Sequence, residues 1–244
     1  MKKMIAVLFF STTFVSAFAQ DDEALEKKNI IKLNLPALAF KNISVQYERA
    51  VGQRISVGGT VRFMPKGKLP FQSTIKNIGD DPELDRQLDN AEVGNYAIIP
   101  EMRFYVGKRG VLRGFYVGPF LSFARYDASL LYEYDDVLVT KTFPLSGNVS
   151  TITGGLMLGA QWKLSDAISL DWWILGPNYG RSKGDLTGKQ ALNPSEQQSL
   201  RDELDDLDIP LTKFTYEVDA NGASINFKGP WAGVRAGICV GINF

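Results

Sequence analysis

The chain has 244 residues, with 27 basic and 27 acidic side chains, a single cysteine and no histidine. Balanced charge excludes the strongly basic field of a nucleic-acid binder, and one cysteine excludes an intramolecular disulfide. The lack of histidine excludes imidazole general acid–base catalysis and imidazole-ligated metal centres, so no catalytic residue, metal site or cofactor is assigned.

The chain opens with Lys2 and Lys3, an apolar run from Met4 to Phe10 that resumes at Phe14 and Val15, and the small-x-small site Ala17-Phe18-Ala19. This pattern predicts a secretory signal peptide over residues 1–19, cleaved near Ala19, since about 12 apolar-leaning residues are too few for a membrane anchor. Cleavage removes two lysines and no acid, leaving 25 basic against 27 acidic residues and a net charge of −2. Residues 20–29 read as a charged periplasmic leader. Beyond the signal no run of about 18 apolar residues occurs, so any membrane span must be made of strands.

Period-two alternation then predicts eight strands. Strand one, Ile30 to Leu38, sets Ile31, Leu33 and Leu35 against Lys32 and Asn34. Strand two, Asn42 to Val51, sets Ile43, Val45 and Tyr47 against Ser44, Gln46 and Glu48, and strand three, Arg54 to Phe63, sets Ile55, Val57, Val61 and Phe63 against Ser56, Gly58, Thr60 and Arg62. Strand four, Tyr96 to Val106, has Ile98, Met102 and Phe104 opposite Ala97, Glu101, Arg103 and Tyr105. Strand five, Phe115 to Tyr126, alternates Phe115, Val117, Leu121 and Phe123 with Gly118, Ser122 and Ala124, with Phe120 and Tyr126 blurring the polar face. Strand six, Val149 to Leu164, and strand seven, Ile168 to about Tyr179, follow the same code, with Trp162 on the apolar face and Asp171 and Trp173 on the other. Strand eight, Trp231 to Phe244, alternates Val234, Ala236, Ile238, Val240 and Ile242 with Arg235, Gly237, Cys239, Gly241 and Asn243.

The connections after strands two, four and six are short, whereas those at residues 64–95, 127–148 and 180–230 are long, the asymmetry of outer-membrane barrels with short periplasmic turns and long external loops. Such a barrel turns its apolar face to lipid, and its aromatics fall into two girdles: Tyr47, Phe104, Phe115, Trp162 and Phe244 at the periplasmic rim, Phe63, Tyr96 and Phe123 at the external one. The terminal alternation of Ile238, Val240, Ile242 and Phe244 resembles the insertion signal read by the barrel-assembly machinery. On the inward face stand Lys32, Arg62, Arg103 and Arg235 against Glu48, Glu101 and Asp171, a nearly balanced set expected to pair across a narrow lumen and plug it. Cys239, on the small face, is expected to pack.

In the loops, Asp81-Pro82 predicts a helix with Leu84 and Leu88 on one side, and Asn193-Pro194 with Glu196 predicts a capped helix carrying Leu200, Leu204 and Leu207, the two packing leucine to leucine above the barrel. Lys213 to Asp219 and Ala223 to Phe227, joined through Asn221-Gly222, read as a hairpin. The acidic run from Asp202 to Asp208 lacks the spaced ligands of a calcium loop and reads as a solvated helix face. The stretch GDLTGKQ, Gly184 to Gln190, lacks the first glycine and the final Ser or Thr of a phosphate loop.

The segments NIIKLNLPAL, NISVQYERA, GFYVGPFLS, ISLDWWILGPNYG and GVRAGICVGINF resemble a family of small secreted outer-membrane barrels of unknown function. The resemblance implies fold and location and carries no catalytic residues. The sequence is therefore expected to form an all-β, eight-stranded antiparallel transmembrane barrel over residues 30–244, with short helices and a hairpin in its external loops. It is expected to act without enzymatic chemistry through those loops, in contact with outer-membrane lipid and lipopolysaccharide and with no nucleic acid. A soluble lipocalin-like barrel holding an apolar ligand, with its faces reversed, and a narrow solute channel are the alternatives.

Overall fold

The computed structural model describes residues 27–72, 89–136, 139–205 and 212–244. The expected signal peptide, most of the leader, the helix at Asp81-Pro82 with Leu84 and Leu88, and the segment holding Leu207 and Asp208 lie outside the described residues. No described helix is long and apolar enough to cross a membrane, a statement that does not bear on strands.

Nine antiparallel strands form one sheet: β1 (Asn29–Asn34), β2 (Ile43–Ala50), β3 (Ile55–Lys68), β4 (Glu92–Tyr105), β5 (Gly114–Asp136), β6 (Val139–Lys163), β7 (Ile168–Lys189), β8 (Lys213–Asp219) and β9 (Gly222–Asn243). Consecutive strands pair from β1 to β7, β7 pairs with β9, and β9 returns to β1 from Ile30↔Asn243 to Asn34↔Cys239, closing an eight-stranded ring. The ninth strand, β8, stands on the upper half of β9, from Lys213↔Lys228 to Asp219↔Gly222.

Side-chain parity divides the ring into two surfaces. Val234, Ile238, Val240 and Ile242 point away from the interior, with Val234 68% and Ile242 64% exposed, while Cys239 between them is fully buried. The expected girdle residues Tyr47, Phe63, Tyr96, Phe104, Phe115, Phe123 and Phe244 are exposed on that same outer surface, and Trp162 is half-buried. The lipocalin-like arrangement needs the opposite parity and does not describe this chain.

The structure departs from the expected elements at four places. Strand one ends at Asn34 rather than Leu38, because the Asn34 side chain accepts a hydrogen bond from the Ala37 amide (3.2 Å) and Pro36 opens the short helix α1 (Leu35–Ala39). The segments 127–148 and 180–230 are not mainly loop: β5 and β6 stay paired out to Asp136↔Val139, and β7 and β9 out to Lys189↔Gly222, so the wall rises well beyond the girdles. The hairpin closes around Ala220-Asn221 rather than Asn221-Gly222, with Gly222 already paired and its φ of 140° meeting the turn's need for an unhindered backbone. One extra residue in β7, between Trp173 and Gly176, makes a bulge that leaves Ile174 and Leu175 both facing outward.

Two separate cores result. The first fills the ring with Ile30, Tyr105, Tyr116, Phe120, Trp173 and Cys239, and is closed below by Val111 and Leu112, which the turn between β4 and β5 folds inward. The second lies above the ring, where Leu200 and Leu204 of helix α2 (Pro194–Asp205), with Leu192, pack on Phe143 of β6, Val218 of β8 and Ala223 of β9. Helix α2 begins at a reciprocal cap: the Glu196 amide donates to Asn193 Oδ1 (2.9 Å) and the Asn193 amide to Glu196 Oε2 (2.8 Å).

Candidate functional site: the closed lumen

The inward positions of β1, β2, β4, β7 and β9 bring six charged side chains into one connected group. Lys32 donates to Glu48 and to Asp171 (2.6 Å), Arg103 to Asp171 (2.6 Å), Glu101 (2.6 Å) and Glu48 (3.3 Å), and Arg235 to Glu101 (2.5 Å). Each of the six is at most 9% exposed. Three cations thus face three carboxylates, and every carboxylate touches at least two donors. A desolvated charge is tolerated only on such terms, since an ion removed from water without partners costs several kcal/mol.

The seventh expected member stands apart. Arg62, two residues beyond Thr60 on β3, reaches Tyr126 Oη (3.3 Å) with one guanidinium nitrogen, and its Nε has no partner among the described residues. Glu101 is claimed by Arg103 and Arg235 one layer below, and Arg62 makes no ion pair among the described residues.

Neutral groups complete the network. Tyr105 donates to Glu48 (2.6 Å), Tyr116 to Asp171 Oδ1 (2.8 Å), and Trp173 Nε1 to Asp171 Oδ2 (3.0 Å). Ser56 donates to Glu48, Gln161 Oε1 accepts from Lys32 (2.8 Å), Gln46 Oε1 accepts from Arg103 (3.0 Å), and Thr60 Oγ1 accepts from Arg235 (2.6 Å). The guanidinium of Arg103 lies 4.2 Å from the Tyr116 ring centre, and that of Arg235 lies 3.9 Å from Trp173, so both cations rest on aromatic faces.

These neutral partners were on the polar face by parity, but nothing marked them as one unit. The available signal was cross-strand size complementarity. Tyr116 stands directly opposite Gly159, Phe120 opposite Gly155, and Trp173 opposite both Gly159 and Gly237, so each large inward ring has a neighbour without a side chain. At Gly159 an added Cβ would come within 2.3 Å of the Tyr116 ring.

At the lower rim, Arg109, Arg113, Lys163 and Asp166 line a cleft between two turns. Lys163 Nζ bonds Asp166 at 2.5 Å, and this hydrogen bond and the lysine's charge hold the Asp166 carboxyl below its ordinary value.

No curated protein matches the chain. Among solved structures, the translocator domain of the autotransporter NalP from Neisseria meningitidis is similar at 10% identity and a TM-score of 0.37, over 100% of this chain and 98% of that one. A family model described as "Protein of unknown function (DUF3575)" matches residues 4–185, from before β1 to near the end of β7, and the chain belongs to that family.

Proposed function

We propose that this protein is a non-enzymatic outer-membrane β-barrel whose lumen is sealed by its own side chains and whose function is exercised by the external part of its wall. The observation that carries the reading is the pairing of an apolar, aromatic-rimmed outer surface with an ionic interior. A soluble fold leaves no such belt of exposed Ile, Leu, Val and Phe around its whole girth. From Phe115 to Phe123 on β5 is roughly eight residue steps, about 27 Å along the strand and about 21 Å normal to a bilayer at a tilt of about 40°, near the height of the apolar band in such barrels.

The interior supports closure. Two layers of ion pairs and rings lie across the path, and Val111 and Leu112 sit beneath them. A steady pore would require breaking these buried pairs, and an apolar ligand would have to displace them. With the lumen occupied, the surface left for recognition is the raised part of β5–β9 with helix α2. On this reading the chain is exported, its signal removed near Ala19, and the barrel inserted by the barrel-assembly machinery.

Two measurements test the reading. Cell fractionation followed by electrophoresis with and without boiling is expected to give an outer-membrane protein with a heat-modifiable band. Planar-bilayer recording of the purified chain is expected to show no steady conductance. Recovery in the soluble fraction would defeat the membrane assignment, and a stable channel of porin size would defeat the sealed lumen.

A further inference from the structure

On the outer face of β7, apolar and aromatic residues lead upward to Tyr179, 65% exposed, and give way to Arg181 and Lys183. On β9 the outward series Ile242, Val240, Ile238, Val234 and Ala232 continues to Pro230 and then Lys228. The two changes fall on the same line of the sheet, because Arg181 pairs with Pro230 and Lys183 with Lys228. Lys213 of β8 pairs with Lys228 from the other side, so Lys183, Lys228 and Lys213 form an unbroken row across three strands.

Residues directly opposite in an antiparallel sheet share a face, and like charges placed so destabilise it. All three lysines and Arg181 are exposed, and none makes an ion pair among the described residues. The nearest acid along β7, Asp185, is held by Asn148, whose Nδ2 reaches both carboxylate oxygens at 3.1 and 3.3 Å. The four cations line a cleft of about 490 Å³ whose remaining walls include Ile152, Pro230 and Gly229. Ile152 pairs with Phe123 of the external girdle on one side and with Arg181 on the other, so the floor of the cleft adjoins the apolar belt.

We infer that this cleft binds the phosphorylated headgroup of an outer-leaflet glycolipid of the lipid A type, with the lysine row and Arg181 on the phosphates and the acyl chains descending over Ile152. The inference rests on the outer-membrane reading above. Its chemistry is that of a membrane-surface cation cluster: each amine or guanidinium donates charge-assisted hydrogen bonds to phosphate oxygens, and the bound anion relieves the repulsion within the row. The cleft is two-sided in the way an amphiphile requires. A free anion would use only its upper half.

The test uses the full chain extracted in detergent from outer membranes, titrated with bisphosphorylated lipid A and with dephosphorylated lipid A, binding being read by native mass spectrometry. The wild type is expected to prefer the phosphorylated lipid at least tenfold. At about fivefold per cation near an anionic surface, the triple variant K183Q/K213Q/K228Q is expected to lose about a hundredfold in affinity for it. The pair K108Q/R109Q, at the opposite rim, is expected to leave binding unchanged. Equal binding of the two lipids, undiminished binding by the triple variant, or inorganic phosphate bound as tightly as the lipid would each overturn the assignment. A chain recovered without detergent and lacking a heat-modifiable band would instead defeat the membrane reading as well, which separates the two failures.

Discussion

Replacing Asp171 with Asn removes one charge from the centre of the lumen and keeps the side-chain shape. Asp171 is wholly buried, and Lys32, Arg103 and Trp173 all converge on its Oδ2 at 2.6, 2.6 and 3.0 Å, while Tyr116 donates to Oδ1. The Asn oxygen takes the place of Oδ2 and its amide turns to Tyr116, whose hydroxyl accepts in its turn. The geometry survives, but three cations then share two carboxylates. Breaking one partner of a buried ionic group costs about 3–5 kcal/mol, because the orphaned charge stays desolvated. At a slope of about 2 kcal/mol per molar urea, the unfolding midpoint of the barrel refolded in lipid vesicles is expected to fall by about 1.5–2.5 M, followed by tryptophan fluorescence. Adding Lys32→Gln restores the balance of charge, so the double variant is expected to cost at least about 1 kcal/mol less than the sum of the two singles. A loss below about 1 kcal/mol for Asp171→Asn, or strict additivity, would refute the view that these ions form one mutually dependent group.

Gly159→Ala puts a methyl against the Tyr116 ring and hydroxyl at 2.3 Å and near the Trp172 carbonyl at 2.7 Å, and is expected to cost about 1–3 kcal/mol in the same urea experiment; an unmoved midpoint would show that Tyr116 is not confined as described. Leu204→Asp is expected to free helix α2 from the upper core, at a cost exceeding the about 2–5 kcal/mol of a Leu→Ala truncation, and to speed tryptic cleavage after Arg201. The heat-modifiable band should persist in that variant, and its loss would mean that the two cores do not stand independently. Lys163→Gln is expected to raise the Asp166 carboxyl toward its ordinary value of 3.8, followed by NMR. The sign follows from the depressed native value: whatever the Lys163–Asp166 pair contributes is present above the unfolded-state value and is lost as pH falls through the folded one, so the two proteins should differ in acid titration near pH 4 and below.

The barrel wall was legible in the sequence because a strand with lipid on one side and a narrow interior on the other shows period two at its strongest, as in Val234 to Phe244. The identities of the charged interior residues were legible for the same reason. What parity alone does not carry is distance along the barrel axis, which is why Arg62 shares a face with Arg103 and Arg235 yet takes no part in their pairing. The extent of β5, β6, β7 and β9 was hidden for a different reason: above the apolar belt both faces meet water or a small core, so residues such as those at 127–131, all partly or fully exposed, lose the strict alternation and look like loop. Val111 and Leu112 were likewise hidden, since two apolar residues in a turn rich in glycine and basic residues have no period to declare their burial.

The bulge between Trp173 and Gly176 has a consequence for what this chain tolerates. With Ile174 and Leu175 both turned outward, it shifts the phase of everything beyond it on β7, so that Tyr179, Arg181 and Lys183 face the exterior and Ser182 the interior. Deleting either Ile174 or Leu175 would remove the bulge and keep that assignment, whereas deleting one residue between Gly176 and Tyr179 would reverse it for the rest of the strand and turn Tyr179, Arg181 and Lys183 inward. A one-residue deletion between Gly176 and Tyr179 should therefore be far more damaging than loss of Ile174 or Leu175, whereas an insertion between Asp136 and Val139 leaves every paired residue of β5 and β6 in register.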